Sequence, residues 1–296
     1  MTPLATLGTY AAGLALAFGA AAGVGGLVGP VGTAAGDGTT GMQDMTGAAD
    51  HGGDGEQAGG GAGLPAGGLA VSQDGYTLQL ARTDLPAGSP AALRFTVAGP
   101  DGQRLTDFEL VHDKELHLVL ARSDLSGYQH LHPTRDAEGR WEVPLTLAPG
   151  SYKVIADLTP AGRETPLALA ADLLVPGPVT ATPLPPVSRT ATVDGYVVTM
   201  TGDLTAGRVS DLVFSVSRDG RPVTDLEPYL GAYGHLVALR VGDGAYLHVH
   251  PEGDQTPGPE VQFGADVPDA ATHRLFLDFQ HDGVVRTAAF TTEARR

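Results

Sequence analysis

Three features of the amino-acid sequence predict an all-β chain with two tandem sandwich domains. Short runs alternate apolar and polar residues with a period of two: YTLQLAR, AALRFTVAG, LHLVLAR, WEVPLTLA and YKVIADL. Turn signals such as DG, AGS and APG separate them. The whole pattern then recurs about 120 residues later, in the same order.

The elements follow in order along the chain. The first charged residue is Asp37. Before it, YAAGLALAFGAAAGVGGLVGPVG (Tyr10 to Gly32) is long and apolar enough to span a bilayer. Residues 1–32 therefore read as a signal anchor, with a cleaved signal peptide as the alternative. The favoured placement is the cell membrane, with the folded domains on the extracytoplasmic side. Residues 33–68 are rich in Gly and Ala and lack periodicity, the composition of a flexible tether. Met42, Met45 and His51 lie within it, a loose Met/His tract of the kind that passes copper.

The first β domain spans residues 69–175. The Pro-rich stretch VPGPVTATPLPPVS ends it and makes 176–188 a linker. The second domain, 189–296, repeats the first. DGYTLQL (Asp74 to Leu80) matches DGYVVTM (Asp194 to Met200), and DGQRLTDFE (Asp101 to Glu109) matches DGRPVTDLE (Asp219 to Glu227). YKVIADL lines up with HRLFLDF. Some seven short strands per copy suggest an immunoglobulin-like or cupredoxin-like β-sandwich.

Composition narrows the function. A formal net charge of -16 repels nucleic-acid phosphates and anionic headgroups, so no nucleic-acid partner is expected. The chain has no cysteine. That removes disulfides, zinc-thiolate sites, iron–sulfur clusters, blue-copper centres and acylated lipoprotein anchors.

Six of the ten histidines fall in two matching segments. HLVLARSDLSGYQHLHP runs from His117 to Pro133, and HLVALRVGDGAYLHVHP from His235 to Pro251. Each reads as a hairpin. If Arg122 pairs with Gly127, Val119 faces His130 and His117 faces His132. Side chains two apart share a face, so His117, His130 and His132 converge beside Tyr128. In the second copy Arg240 pairs with Ala245, and His235, His248 and His250 converge beside Tyr246. Opposed Cβ atoms about 5 Å apart let ring nitrogens share one ion. An all-nitrogen site suits zinc, copper(II) or nickel, with copper(II) favoured on affinity. Binding of this kind weakens below about pH 6.5, where free histidine protonates. The opposing reading makes the six histidines structural, as packing or partner surfaces. His112, His273 and His281 lack matched histidines and read as ordinary surface or edge residues.

No catalytic signature accompanies them. There is no nucleophile elbow, P-loop or dinucleotide fingerprint, and Asp113 and Glu115 are replaced by Gly231 and Tyr233 in the second copy. A non-enzymatic protein is expected.

The segments from Lys114 to Gly162 and from Tyr229 to Pro251 resemble a group of largely actinobacterial exported or single-span proteins with His-x-His-Pro motifs. Some of those are described as heavy-metal-binding. The chain is also similar to CopC-type copper-resistance proteins in being an exported β-sandwich with histidines, although the motif differs and no ligand set carries over. The resemblance implies metal binding or buffering at the cell surface and supplies no catalytic residues.

Overall fold

The repeated alternation folds as two β-sandwiches. The computed structural model describes residues 67–247, 249–252 and 256–296, with the backbone alone for His250. The expected anchor and most of the tether, with Met42, Met45 and His51, lie outside the described residues. Among the described residues no helix is long and apolar enough to cross a membrane.

Repeat 1 contains β1 (Ser72–Gln73), β2 (Tyr76–Leu80), β3 (Ala91–Ala98), β4 (Leu116–Arg122), β5 (Gln129–Leu131), β6 (Thr134–Arg135), β7 (Arg140–Leu145), β8 (Gly150–Leu158) and β9 (Leu167–Val175). Its outer sheet has the order β1-β2-β3-β7-β6 and its inner sheet β5-β4-β8-β9. Repeat 2 contains β10 (Thr190–Val193), β11 (Tyr196–Thr201), β12 (Arg208–Arg218), β13 (Arg221–Pro222), β14 (His235–Arg240), β15 (Tyr246–Leu247), β16 (Val249–Glu252), β17 (Glu260–Val267), β18 (Thr272–His281) and β19 (Val284–Glu293). Its outer sheet runs β10-β11-β12-β17-β16 with β13 on β12, and its inner sheet β15-β14-β18-β19. The strand orders match position for position, as the duplication requires.

Each sandwich has its own core. In repeat 1, Leu93, Phe95 and Trp141 of the outer sheet meet Leu116, Leu118 and Leu120 of the inner sheet. In repeat 2, Phe214 and Phe263 meet Leu236, Leu275 and Leu277. A third buried cluster joins the two: Val119, Ala121 and Ile155 pack with Val237, Leu239 and Phe276. The inner sheets thus face one another across a seam. This explains why β4 is buried at six successive positions, on both faces, despite its alternating polarity. Leu116, Leu118 and Leu120 enter the core of repeat 1, while His117, Val119 and Ala121 enter the seam.

The seam also takes in the start of the described chain. Gly67, placed by sequence within the tether, exchanges two backbone hydrogen bonds with Tyr246, at 3.0 and 2.9 Å. The next amide, Gly68 N–H, donates to the Ala168 carbonyl at 2.8 Å. The segment therefore bridges β15 of repeat 2 and β9 of repeat 1. Two glycines suit it. A Cβ on Gly67 would lie 2.7 Å from that of Ala168, and one on Gly68, at φ +68°, would lie 2.8 Å from that of Tyr246.

Candidate metal centre

Strand register decides whether the histidines meet. Leu118 pairs with Leu131, Val119 with His130 and Leu120 with Gln129, the register expected from an even loop. The ladder stops at Leu131, so His117 and His132 are not a paired position, yet their ring centroids lie 5.0 Å apart. Nδ1 of His117 is 3.0 Å from Nε2 of His130 and 3.1 Å from Nε2 of His132. All three nitrogens lie within 4.8 Å of one another. Metal–nitrogen bonds of 2.0–2.1 Å put ligand nitrogens about 3.3 Å apart around a tetrahedral ion. His117 lies slightly closer than that to each of its two neighbours, and the full set lies within 4.8 Å, so an ion at the centre would require the rings to readjust.

The far side of each ring is held by a partner. Nε2–H of His117 donates to the Val111 carbonyl at 3.0 Å. Nδ1–H of His130 donates to Oδ2 of Asp278 at 2.9 Å, and both side chains are almost wholly buried. Nδ1 of His132 meets the Tyr229 hydroxyl at 3.3 Å. A carbonyl and a carboxylate only accept, which fixes the tautomers of His117 and His130. In the neutral rings, Nδ1 of His117 and Nε2 of His130 are both bare lone pairs, 3.0 Å apart. Two bare lone pairs cannot hydrogen-bond to each other; each can accept an N–H or take a cation.

For His117 and His132 the surroundings oppose the protonated form. Burial, then repulsion from His130, lowers the His117 pKa below that of free histidine. Burial and the neighbouring imidazoles bring His132 down to about 2. These rings therefore stay neutral further into the acid range than free histidine, which is the ligand state a metal needs.

Two of the outer partners, Asp278 and Tyr229, come from repeat 2, so the cluster belongs to the seam and not to one domain. The arrangement is echoed across it. Asp157 pairs with His117 and Asp278 with His235 in matching registers. The Tyr246 hydroxyl donates to Asp157 at 2.7 Å, and that of Tyr128 approaches Asp278 at 3.5 Å. Burial, then the facing aspartate, pushes both phenols well above their ordinary range. Tyr128 also stacks on Phe276 of repeat 2, with centroids 3.9 Å apart.

His235 occupies the position equivalent to His117. Its Nε2–H donates to the Tyr229 carbonyl at 2.7 Å, as His117 does to Val111. Burial leads in lowering its pKa to about 4. Its ring lies 6.2 Å from that of His117, beyond the three converging nitrogens. The expected opposition of His235 and His250 does not appear in the ladder. Ala238 pairs with Leu247 and Leu239 with Tyr246, but the chain then crosses to the outer sheet, where His250 pairs with Gly264. His248 and the His250 side chain fall outside what is described.

The three described histidines outside the two segments are not ordinary surface residues. His112 stands edge-on to His235 at 5.1 Å and to His117 at 6.2 Å, within the seam. His273 is fully buried, and His281 is buried against the Tyr196 hydroxyl at 2.7 Å. A cavity of about 370 Å³ opens beside the cluster, lined by His112, His117, His130, Asp157, His235 and Tyr246 among others.

Sequence reasoning missed Asp157, Asp278 and Tyr229. The aspartates were visible, since both copies place Asp at the same position of the aligned runs YKVIADL and HRLFLDF. Tyr229 had no such signal, because Val111 occupies the equivalent place.

Fold and cluster together define a tandem β-sandwich protein with histidines gathered at its inter-repeat seam. The family described as "Domain of unknown function (DUF8832)" matches twice, at residues 70–172 and 191–296, and the protein belongs to that family. No curated protein matches the sequence. Among solved structures, the chain is similar to the Escherichia coli adhesin FdeC at 14% identity and TM-score 0.24, covering 77% of this chain and 66% of that one. It is similar to the Yersinia pseudotuberculosis adhesin InvE at 11% identity and TM-score 0.23, covering 77% and 61%. Fibronectin(III)-like modules of Clostridium thermocellum CbhA match at 10% identity and TM-score 0.21, covering 74% and 94%. The chain spans less than two thirds of the adhesin chains.

Proposed function

We propose that this protein is a membrane-anchored, extracytoplasmic metal-binding protein that holds copper(II) or zinc through His117, His130 and His132. One observation carries the reading: acceptor-only partners force two bare imidazole nitrogens to face each other at 3.0 Å, with a third at 3.1 Å. The hydrogen bonds from the far ring nitrogens are the outer support that histidine ligands usually have. Membrane attachment rests on the apolar run from Tyr10 to Gly32. His235, His248 and His250 are proposed as a second set by the same motif.

A second reading makes the chain a non-catalytic structural or interaction module with structural histidines. It is favoured by the donation of both His117 and His235 to backbone carbonyls at equivalent positions, since a packed histidine does the same.

Titration of the full chain with copper(II) and with zinc, followed by calorimetry, separates the two. The metal reading expects one equivalent abolished by His130→Ala and a second by His248→Ala. Absence of any micromolar binding leaves the structural reading.

A further inference from the structure

We infer that Asp278 and Tyr229 of repeat 2 are positioning residues for the histidines of repeat 1, so that metal affinity depends on the docked seam. This rests on the metal reading above. All three converging nitrogens come from repeat 1, on β4, β5 and the residue just past β5. Yet two of the three far ring nitrogens are held by repeat 2.

Asp278 is placed for this task. It is 3% exposed, on a central strand of the facing sheet. Its Oδ1 accepts from the Thr287 hydroxyl, while Oδ2 accepts from His130 and faces the Tyr128 hydroxyl. A buried carboxylate held on both oxygens cannot swing to follow a moving ring. It fixes the His130 tautomer with Nε2 bare and holds that lone pair toward His117. Tyr229 does the matching work for His132. As a hydrogen-bond acceptor its hydroxyl takes Nδ1–H and leaves Nε2 bare. As a donor it reverses the tautomer, letting Nε2–H of His132 donate to His117. The same phenol thus accommodates either tautomer of His132, its O–H bond turning as the ring proton changes nitrogen by exchange with water.

Undocking the repeats removes both supports while leaving every ligand on its own strand. By reciprocity, a metal that binds the docked form more tightly must hold the repeats together.

The test uses the full chain and the metal ions alone. Asp278→Asn keeps the shape but removes the charge; Tyr229→Phe keeps the ring and removes the hydroxyl. Asp278→Asn is expected to weaken zinc and copper(II) binding about 10–100-fold, and Tyr229→Phe by a smaller factor. At saturating copper(II), the electron paramagnetic resonance of Asp278→Asn should also differ from wild type, because the ligand field has changed. A purely structural role would lower thermal stability and leave that spectrum unmoved. Should Asp278→Asn fail to fold, Tyr229→Phe carries the measurement. Wild-type affinity and spectrum in the folded variants overturn the inference while the metal reading stands. A wild-type chain that binds neither ion defeats the metal reading itself.

Discussion

His273 makes the stability of this protein fall as the medium turns acidic. Its imidazole is fully buried near one end of β18, and neither ring nitrogen has a hydrogen-bonding partner of good geometry. Burial, then the positive charge of Arg240, lowers its pKa to about 4, and the Ala271 backbone offsets this only in part. In the unfolded chain the same ring titrates near 6.5. Above pH 6.5 both states are neutral and folding carries no proton penalty. Between 6.5 and 4 the unfolded chain binds the proton and the folded chain does not, so stability declines as pH falls. Below 4 both are protonated and the loss is complete. A difference of about 2.5 units amounts to about 3 kcal/mol, of which about 2 kcal/mol is lost by pH 5. Urea unfolding at pH 7.5, 6.0 and 5.0, with chelator present to exclude metal, measures it. His273→Leu removes the titration, and its fixed packing cost cancels when slopes are compared. Wild type should lose about 2 kcal/mol more than the variant between pH 7.5 and 5.0. Parallel curves for the two proteins would refute the argument.

Other expectations follow from the same structure. Phe276→Ala opens a hole beneath Tyr128 in the seam and should cost about 3–5 kcal/mol in denaturant unfolding. Gly68→Ala forces a Cβ against Tyr246 at positive φ, and should lower the melting temperature more than Gly88→Ala, where φ is +66° but the space is open. Zinc at about 100 times its dissociation constant should stabilise the wild type by about 2.7 kcal/mol, read as a raised melting temperature. His117→Ala should abolish that increment, and an undiminished shift would remove His117 from the ligand set.

Much of the architecture was legible because duplication supplies two readings of each element. The period-two runs located most strands, and the paired DGY and DG-x-x-x-TD motifs aligned the repeats. The hairpin register at Val119 and His130 followed from one assumption, an even loop. The seam was not legible in the same way. LHLVLAR alternates like a half-exposed strand, yet its odd residues are buried by a second sheet far away in sequence. Periodicity tells how many faces a strand has, not what covers each of them. For the same reason His112 and His273 read as surface or edge residues: isolated histidines carry no pattern, and tertiary packing alone buried His273 and brought His112 into the seam. The path of His250 shows the other limit. A strand that leaves one sheet for the other breaks the pairing that simple extension of a hairpin predicts.

The pair Gly67–Gly68 gives the molecule a mechanical character. Any pull along the chain that precedes them arrives at hydrogen bonds to both repeats at once, through Tyr246 on one side and Ala168 on the other. Load is thus shared between the two sandwiches before it reaches the terminal strand of either. Peeling this short stitch away would relax the seam at Tyr246, whose hydroxyl is tied to Asp157 beside the cavity. The glycine pair and the histidine cluster are therefore two parts of one joint between the repeats.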